Sequence, residues 1–318
     1  MNTKYTIAAV VIIVLIVSAA FIIYYQAQAP DEGLEALQNL VDDDNYTTSL
    51  TAYPEKIISV APSCTEILFA IDAGDKVVAV TDYCDYPYDF SAWVAAGNMT
   101  SVGDFTTPNM EVITALDPDL ILASGGVQDD IVSTLRDRGY KVLVLDPTSV
   151  SGILYNIELV GNATGNRDEA TALINNLTSR IDAVSETVAN AAKPRVYYEV
   201  YYELTSSWTI GSLAWQNELI EKAGGTNIFN DQEIDYYQYQ VEALIDRNPD
   251  VIVLPASGMG TGQLESLDAV KARPGWDTTN AVQDDRLHQI DSNIIERSGP
   301  RVADAIEQLA EFFHPELF

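Results

Sequence analysis

Two segments, MEVITALDPDLIL at residues 110–122 and VEALIDRNPDVIVL at residues 241–254, repeat one pattern at distant points of the chain. Each has a glutamate near its start, a short amphipathic helical pattern, a Pro-Asp pair and then an apolar run with strand propensity. Glu111 and Glu242 stand seven residues before the proline of their own segment. The repeat predicts two equivalent α/β units, with each glutamate at the beginning of a helix. Because the helix dipole favours an acid in the first turn by roughly 0.3–1 kcal/mol, a purely structural role for both glutamates stays open.

The chain around the first segment alternates strand-like and helical patterns. Strands are predicted at residues 56–61, 77–80, 120–123 and 142–145, and a helix at residues 130–138 separates the last two. Another helix is opened by Ser63, with Glu66 three residues later in the arrangement of a capping box. This alternation is typical of a parallel α/β sheet.

A single long helix is predicted to follow the first unit. From about residue 168 to residue 192, apolar residues recur at steps of three and four, and no proline or glycine interrupts them before Pro194. At 1.5 Å per residue such a helix is roughly 37 Å long. It predicts a rigid connection rather than a flexible linker.

After this helix the α/β alternation resumes, with strands predicted at residues 195–202, 251–254 and 287–290. The predicted fold class is α/β, with two doubly wound α/β lobes joined by a single long α-helix and preceded by an N-terminal transmembrane helix. The predicted divisions are residues 1–26 as membrane anchor or signal segment, 27–53 as acidic tether, 54–166 as N-terminal lobe, 167–193 as connecting helix and 194–318 as C-terminal lobe.

The first 26 residues indicate export. An almost uninterrupted apolar run at residues 6–25 follows Lys4 and is about long enough to cross a bilayer, and the acidic residues after it orient the remaining chain outward. The alternative is a signal peptide cleaved near the Ala-Gln-Ala at residues 27–29. The length of the apolar run favours an uncleaved anchor, and no cysteine lies nearby to carry a lipid. Four Asn-x-Ser/Thr triplets are candidate glycosylation sites in an exported chain: Asn45, Asn98, Asn162 and Asn176.

Charge and composition exclude several classes of function. The chain has 17 basic and 47 acidic residues, for a net charge of -30, so nucleic acid is not an expected partner. His288 and His314 stand alone in the sequence, and no phosphate-binding loop followed by lysine or GxSxG turn is present. We therefore expect a protein that is not an enzyme and that has no metal site or resident cofactor.

Several motifs together resemble a known family over nearly the whole chain from Pro54. They are the segment from KIISVAPSCTEIL to TDYCDYP, the two glutamate repeats, GGTNIF at residues 224–229 and ERSGPR at residues 296–301. In combination they are similar to the helical-backbone substrate-binding proteins of cobalamin, haem and ferric-siderophore ABC importers, with TDYCDYP most similar to the cobalamin branch. The resemblance implies two lobes that hold a ligand between them with little closure, and one glutamate per lobe that docks on the permease. Glu111 and Glu242 match those two positions.

The resemblance also implies a set of ligand-binding residues. The matching positions are Tyr83, Phe105, Trp208, Tyr236 and Asn293. Phe105 and Tyr236 stand where tryptophan is familiar in bacterial cobalamin binders, and Asn293 where an aspartate is, so the pocket is open to another corrinoid or another flat ligand. Aromatic faces suit a planar macrocycle through stacking and apolar burial, although packing in the core or at the surface explains single tyrosines equally well.

Two further pairs of residues leave alternatives open. Cys64 and Cys84 follow the first two predicted strands, where a disulfide, two free thiols or a single sulfur ligand to a bound metal are all consistent with the sequence. Arg297 and Arg301 are four residues apart, which suits either an acidic ligand or structural ion pairs, and we expect structure.

The sequence therefore predicts a monomeric extracytoplasmic receptor, anchored by its N-terminal helix or secreted after cleavage. Its expected partners are an ABC permease dimer with its ATPase, and its ligand is a corrinoid, with haem or a ferric siderophore as alternatives. A surface protein that keeps this fold for tethering or interaction, without a permease, is the alternative of another class.

Overall fold

The computed structural model describes residues 37, 39–256 and 266–318. The predicted membrane anchor, the alternative cleavage site and the first part of the predicted tether lie outside the described residues. Within the described ranges, no helix combines the length and the apolar character that a membrane crossing requires.

Residues 39–53 are folded, and the prediction that they belong to a tether is wrong. Strands β1 (Leu40–Val41) and β2 (Thr47–Thr48) pair antiparallel, and Leu40 is buried in the core. The buried carboxylate of Asp42 accepts a hydrogen bond from the backbone N–H of Val144 at 3.0 Å and forms an ion pair with Arg136 at 2.5 Å. These partners are 102 and 94 residues away in sequence, so no local pattern reveals them.

The N-terminal lobe contains a parallel sheet, as predicted, and it has five strands rather than the four that the sequence indicated. Its strands are β3 (Ile57–Ser59), β4 (Val77–Val80), β5 (Thr100–Ser101), β6 (Leu120–Ala123) and β7 (Val142–Val144), in the order β5-β4-β3-β6-β7. Its helices are α1 (Pro62–Ala70), α2 (Phe90–Ala95), α3 (Met110–Leu116) and α4 (Asp129–Asp137). The order places early strands at the centre, as in a doubly wound sheet.

Two consecutive helices lead out of this lobe. They are α5 (Val150–Thr164) and α6 (Arg167–Val188), and α6 is the predicted long helix, which is thereby confirmed although it ends four residues earlier than predicted. At 22 residues it is roughly 33 Å long. It packs against α5 and against the last described helix, α12 (Val302–Phe313). The buried side chains of α6 all belong to the apolar series predicted from the sequence: Ala170, Leu177, Ile181, Val184 and Val188.

The C-terminal lobe has a mixed sheet. Its strands are β8 (Arg195–Tyr201), β9 (Ser207–Ile210), β10 (Thr226–Asn227), β11 (Tyr236–Tyr239), β12 (Val251–Ala256) and β13 (Leu287–Asp291), in the order β11-β9-β8-β12-β13 with β10 on β8. Its further helices are α7 (Trp215–Lys222), α8 (Val241–Arg247), α9 (Leu267–Lys271), α10 (Asn280–Gln283) and α11 (Ser292–Ile295). Strand β9 pairs antiparallel with β8, and β11 pairs antiparallel with β9 at the edge of the sheet. Tyr236 therefore opens an edge strand of this sheet.

One apolar core runs through both lobes. It contains Ile57 and Leu120 from the first sheet, Ile181 from α6, Val251 from the second sheet and Phe313 from α12. Because packed interiors resist deformation, the shared core holds the two lobes in one relative position.

Candidate functional site

A cleft of about 690 Å³ lies between the two lobes. On the N-terminal side, the cleft is lined by residues that follow the carboxyl ends of β3, β6 and β7. This is the edge of the sheet at which α/β proteins bind ligands. On the C-terminal side it is lined by β8, the start of α7, the start of β11 and the segment after α11. Its lining side chains include Phe105, Asp146, Tyr198, Leu213, Trp215, Gln216, Asp235, Tyr236, Glu296 and Arg297.

Two of the five predicted ligand-binding residues, Phe105 and Tyr236, line this cleft from opposite lobes. The other three, Tyr83, Trp208 and Asn293, are not among its described lining residues. Trp208 is partly exposed on β9, where it lies opposite Gln238 of β11.

Tyr83 and Asn293 lie beside the cleft, where the two lobes meet. The Tyr83 hydroxyl donates to Asp104 at 3.2 Å, and its backbone carbonyl accepts from Arg297 at 3.3 Å. The Asn293 side chain donates to Asp85 at 3.3 Å. Both residues therefore contribute to the contact between the lobes.

Sequence reasoning missed several residues of the cleft wall. Tyr198 lies within β8, so the strand pattern hides its role, whereas Trp215 opens a helix after the short loop that follows β9, which is the signal that could have indicated it. Leu213, which was also missed, is a large apolar side chain that is exposed within the cleft, like the predicted Tyr236. Exposed aromatic and aliphatic surface in a concave site is the usual composition of a small-molecule site.

Gln128 orders the N-terminal wall of the cleft. Its side chain is fully buried, and its amide nitrogen donates to the carbonyl oxygens of Val60 at 2.7 Å and Phe105 at 2.6 Å. Its amide oxygen accepts from the backbone N–H of Ser124 at 2.8 Å. One side chain thus fixes the loop that carries Phe105 against the end of β6.

The charges of the cleft are mostly acidic. Asp146 and Asp235 are exposed to it and Glu296 is half-buried in it. Glu296 forms no ion pair with any described residue, and burial raises its pKa to about 7. Arg297 is the one basic side chain among the described lining residues, and its guanidinium is held by Glu66 at 3.0 Å and by Asp85 at 2.6 Å.

Below the cleft, Glu66 joins the two lobes. It accepts from Arg297 and, through both oxygens, from Arg301. The Arg301 guanidinium also lies 4.5 Å from the centre of the Tyr86 ring. The two arginines therefore have the structural role that we expected. Both pair with Glu66 of the other lobe rather than with acidic residues close to them in sequence.

The capping-box prediction for Glu66 is wrong. Helix α1 begins at Pro62, and its N-cap residue, Ala61, has no side-chain hydrogen bond. Proline at the start of the helix needs no cap for its own nitrogen, and Glu66 is left to pair across the lobes.

Glu111 and Glu242 occupy equivalent places. Each is the second residue of its helix, α3 or α8, and each is exposed. Both helices end in a left-handed residue, Asp117 or Asn248, before the Pro-Asp pair and the next parallel strand. The prediction that both glutamates begin a helix is confirmed.

The candidate disulfide is not formed in the structure. Cys64 and Cys84 are both free and buried. The Cys84 sulfur lies 3.1 Å from the hydroxyl of Thr65 and 3.3 Å from that of Thr81, and Cys64 donates to the carbonyl of Ala123 at 3.5 Å. Burial raises the pKa of both thiols, so the geometry favours inert packing groups.

The four candidate glycosylation sites differ in exposure. Asn45 lies exposed in the turn between β1 and β2, and Asn98 is exposed after α2. Asn176 is exposed on α6, whereas Asn162 is half-buried within α5. Asn45 and Asn98 are therefore the two candidates that lie in exposed loops, where a side chain is accessible for modification.

Comparison with known proteins places these features in context. The sequence model of a family described as periplasmic binding protein matches residues 57–294. The chain is 32% identical over 284 residues to an uncharacterized ABC transporter substrate-binding lipoprotein of Bacillus subtilis, covering 87% of this chain and 85% of that protein. It is 28% identical over 281 residues to a cobalamin-binding protein of Halobacterium salinarum, covering 86% and 73%. The structure resembles the periplasmic vitamin B12 binding protein of Vibrio cholerae with a TM-score of 0.68 and 28% identity, covering 82% of this chain and 97% of that one.

Proposed function

The chain belongs to the periplasmic binding protein family, whose members are substrate-binding proteins rather than enzymes, and from that premise we propose that it captures a corrinoid for an ABC importer. The observation that carries the proposal is the cleft between the lobes, with Phe105 and Tyr236 facing it from opposite sides. The relatives named for cobalamin support the same class of ligand.

The cleft suits a large ligand with flat faces. Its volume of about 690 Å³ falls within the range of small-molecule sites, roughly 300–1,000 Å³. Aromatic rings on both lobes offer faces for stacking and apolar burial, each worth roughly 0.5–1.5 kcal/mol beyond the buried area. A macrocycle held between two aromatic walls uses this arrangement fully.

The lobes are expected to close little on the ligand. The shared core through α6 and the Glu66 ion pairs both oppose a change in their relative position. A site that is formed before binding loses less free energy to reorganisation.

Delivery requires a surface for the permease. In our proposal this surface carries Glu111 and Glu242, one on each lobe, at equivalent and exposed helix starts. The protein acts at the extracytoplasmic face of the membrane, held there by its N-terminal segment, which has no cysteine for a lipid anchor.

The test is a binding titration of the full-length protein in detergent against cobalamin, cobinamide, haem and a hydroxamate siderophore. We expect the corrinoids to bind and to stay with the protein through desalting. Phe105→Ala should weaken corrinoid binding by roughly tenfold, because it removes one stacking wall. Phe318→Ala removes an exposed aromatic ring outside the cleft and serves as the matched control.

If the protein retained haem or the siderophore in place of the corrinoids, the proposed ligand would be wrong and the proposed role as a receptor would stand. Retention of none of the four would favour the tethering function.

A further inference from the structure

Two buried polar groups of the cleft have no partner among the described residues. They are the hydroxyl of Tyr198 and the amide oxygen of Gln216, whose residues are 1% and 4% exposed. Both side chains line the cleft. Because an unpaired buried polar group costs as much as a lost hydrogen bond, a ligand that pairs with them gains affinity.

Most of the free groups in this part of the cleft accept hydrogen bonds. The Gln216 side chain lies beside the Tyr236 hydroxyl, and its buried atom without a partner is the amide oxygen. Glu296 faces the same space as Tyr198 and Tyr236, and its charge acts on both. An amide oxygen and an ionised carboxylate only accept, and Glu296 is ionised above its raised pKa of about 7, while the Tyr198 hydroxyl can also donate.

The charges favour donors from the ligand over anions. Asp146, Asp235 and Glu296 line the cleft, and Arg297 is already paired with Glu66 and Asp85. Residues 257–265, which follow β12, contain no lysine or arginine. A carboxylate on the ligand would therefore meet like charges without a free cation to offset them.

We propose that the surface formed by Tyr198, Gln216 and Glu296, called here the acceptor surface, selects ligands with hydrogen-bond donors at their edge, such as primary carboxamides, and rejects ligands with carboxylates there. The inference rests on the proposed function, since it names the edge chemistry of the captured corrinoid. It also separates corrinoids from haem, whose edge carries carboxylates.

The test compares cobinamide with cobyrinic acid, which keeps the corrin ring and cobalt but has carboxylates where cobinamide has carboxamides. At about pH 8, where Glu296 is ionised, we expect full-length protein to bind cobinamide roughly 100-fold more tightly, because like charges brought together across an interface oppose binding strongly. Glu296→Gln keeps the side-chain volume and removes the charge, and should reduce this preference by roughly tenfold. Asp146→Asn gives a second variant at an exposed position, with the same direction expected.

Glu311→Gln is the matched control, since Glu311 is exposed on α12 and its substitution changes the overall charge equally. Equal affinity for both corrinoids would overturn the acceptor surface and leave the proposed function standing. The acceptor surface would also be overturned if neither cleft variant changed the preference for cobinamide, or if Glu311→Gln reduced that preference as much as the cleft variants do. Either result would assign the preference to the net charge of the protein. If neither corrinoid binds, the proposed function fails together with this inference.

Discussion

Glu66 and Arg301 form a bidentate ion pair across the two lobes, with oxygen–nitrogen distances of 2.9 and 2.6 Å between residues 235 apart in sequence. Glu66 is 2% exposed, and Arg301 is also buried. Such a pair is compatible with a stable fold only while both charges are present. If one is removed, the other stays buried with neither a counter-charge nor water to solvate it.

We expect Glu66→Gln to lower the free energy of unfolding by about 3–5 kcal/mol, since it leaves Arg301 buried without its counter-charge. Urea unfolding followed by tryptophan fluorescence measures the change. The matched control is Asp304→Asn, which removes one partner of Arg180 in a partly exposed pair and should cost less than about 1 kcal/mol. Equal effects of the two substitutions would mean that the pair across the lobes has no special weight.

The sequence predicted those parts of the fold that depend on local pattern. The apolar series of α6, the strands of the first sheet and the repeat around Glu111 and Glu242 are periodic over short distances, and the structure has each of them. The motifs added the family, which the match over residues 57–294 confirms.

The rest depends on contacts between distant residues. Asp42 belongs to an acidic run that reads as solvated, yet it is buried because Arg136 and the N–H of Val144 meet it in the folded chain. The spacing of Glu66 from Ser63 suggests a helix cap, but in the folded chain Glu66 forms an ion pair with Arg301. The cleft residues of β8 have the pattern of ordinary strand residues, and no periodicity in the sequence indicates that the N-terminal lobe lies opposite them.

Glu296 should make part of the stability depend on pH. Burial raises its pKa from 4.5 to about 7, so between these values the folded protein binds more protons than the unfolded chain. This contribution to stability is complete below pH 4.5 and is lost as the pH rises through about 7. The ionisable groups that face Glu296 are Tyr198 and Tyr236, and its neighbour Arg297 is paired with other acids.

We therefore expect Glu296→Gln to be more stable than the unchanged protein at about pH 8 and equally stable near pH 5. Melting temperatures at both pH values measure the difference. Glu311→Gln changes an exposed acid and should show no such dependence. A Glu296→Gln difference that is constant with pH would show that the carboxyl titrates as in the unfolded chain.

The two thiols should be free and protected. Because Cys64 and Cys84 are buried and burial raises the pKa of each, neither should react with Ellman's reagent in the folded protein. Unfolding in denaturant without a reductant should release both thiols together. Protein that shows no thiol after unfolding, but does so after reduction, would contain the disulfide that the sequence left open.

Glu111 and Glu242 should act on the permease and not on the ligand. Each is exposed at the second position of its helix, and neither lines the cleft. A permease dimer has two equivalent halves, so two equivalent glutamates, one from each lobe, match its symmetry. A carboxylate that pairs with arginine in a partly dehydrated pocket forms strong, often bidentate hydrogen bonds, and the loss of one such partner costs about 2–5 kcal/mol of association.

The double substitution of Glu111 and Glu242 by alanine should leave the corrinoid affinity unchanged and should abolish ligand-stimulated ATP hydrolysis by the reconstituted transporter. Both single variants should retain part of the stimulation, because one docking contact remains in each. The matched control replaces Glu186 and Glu311, which are equally exposed on α6 and α12, so that the same charge is removed elsewhere. If stimulation survives in the double variant, or falls equally in the control, the helix dipole alone accounts for the two glutamates and the docking surface must lie on other residues.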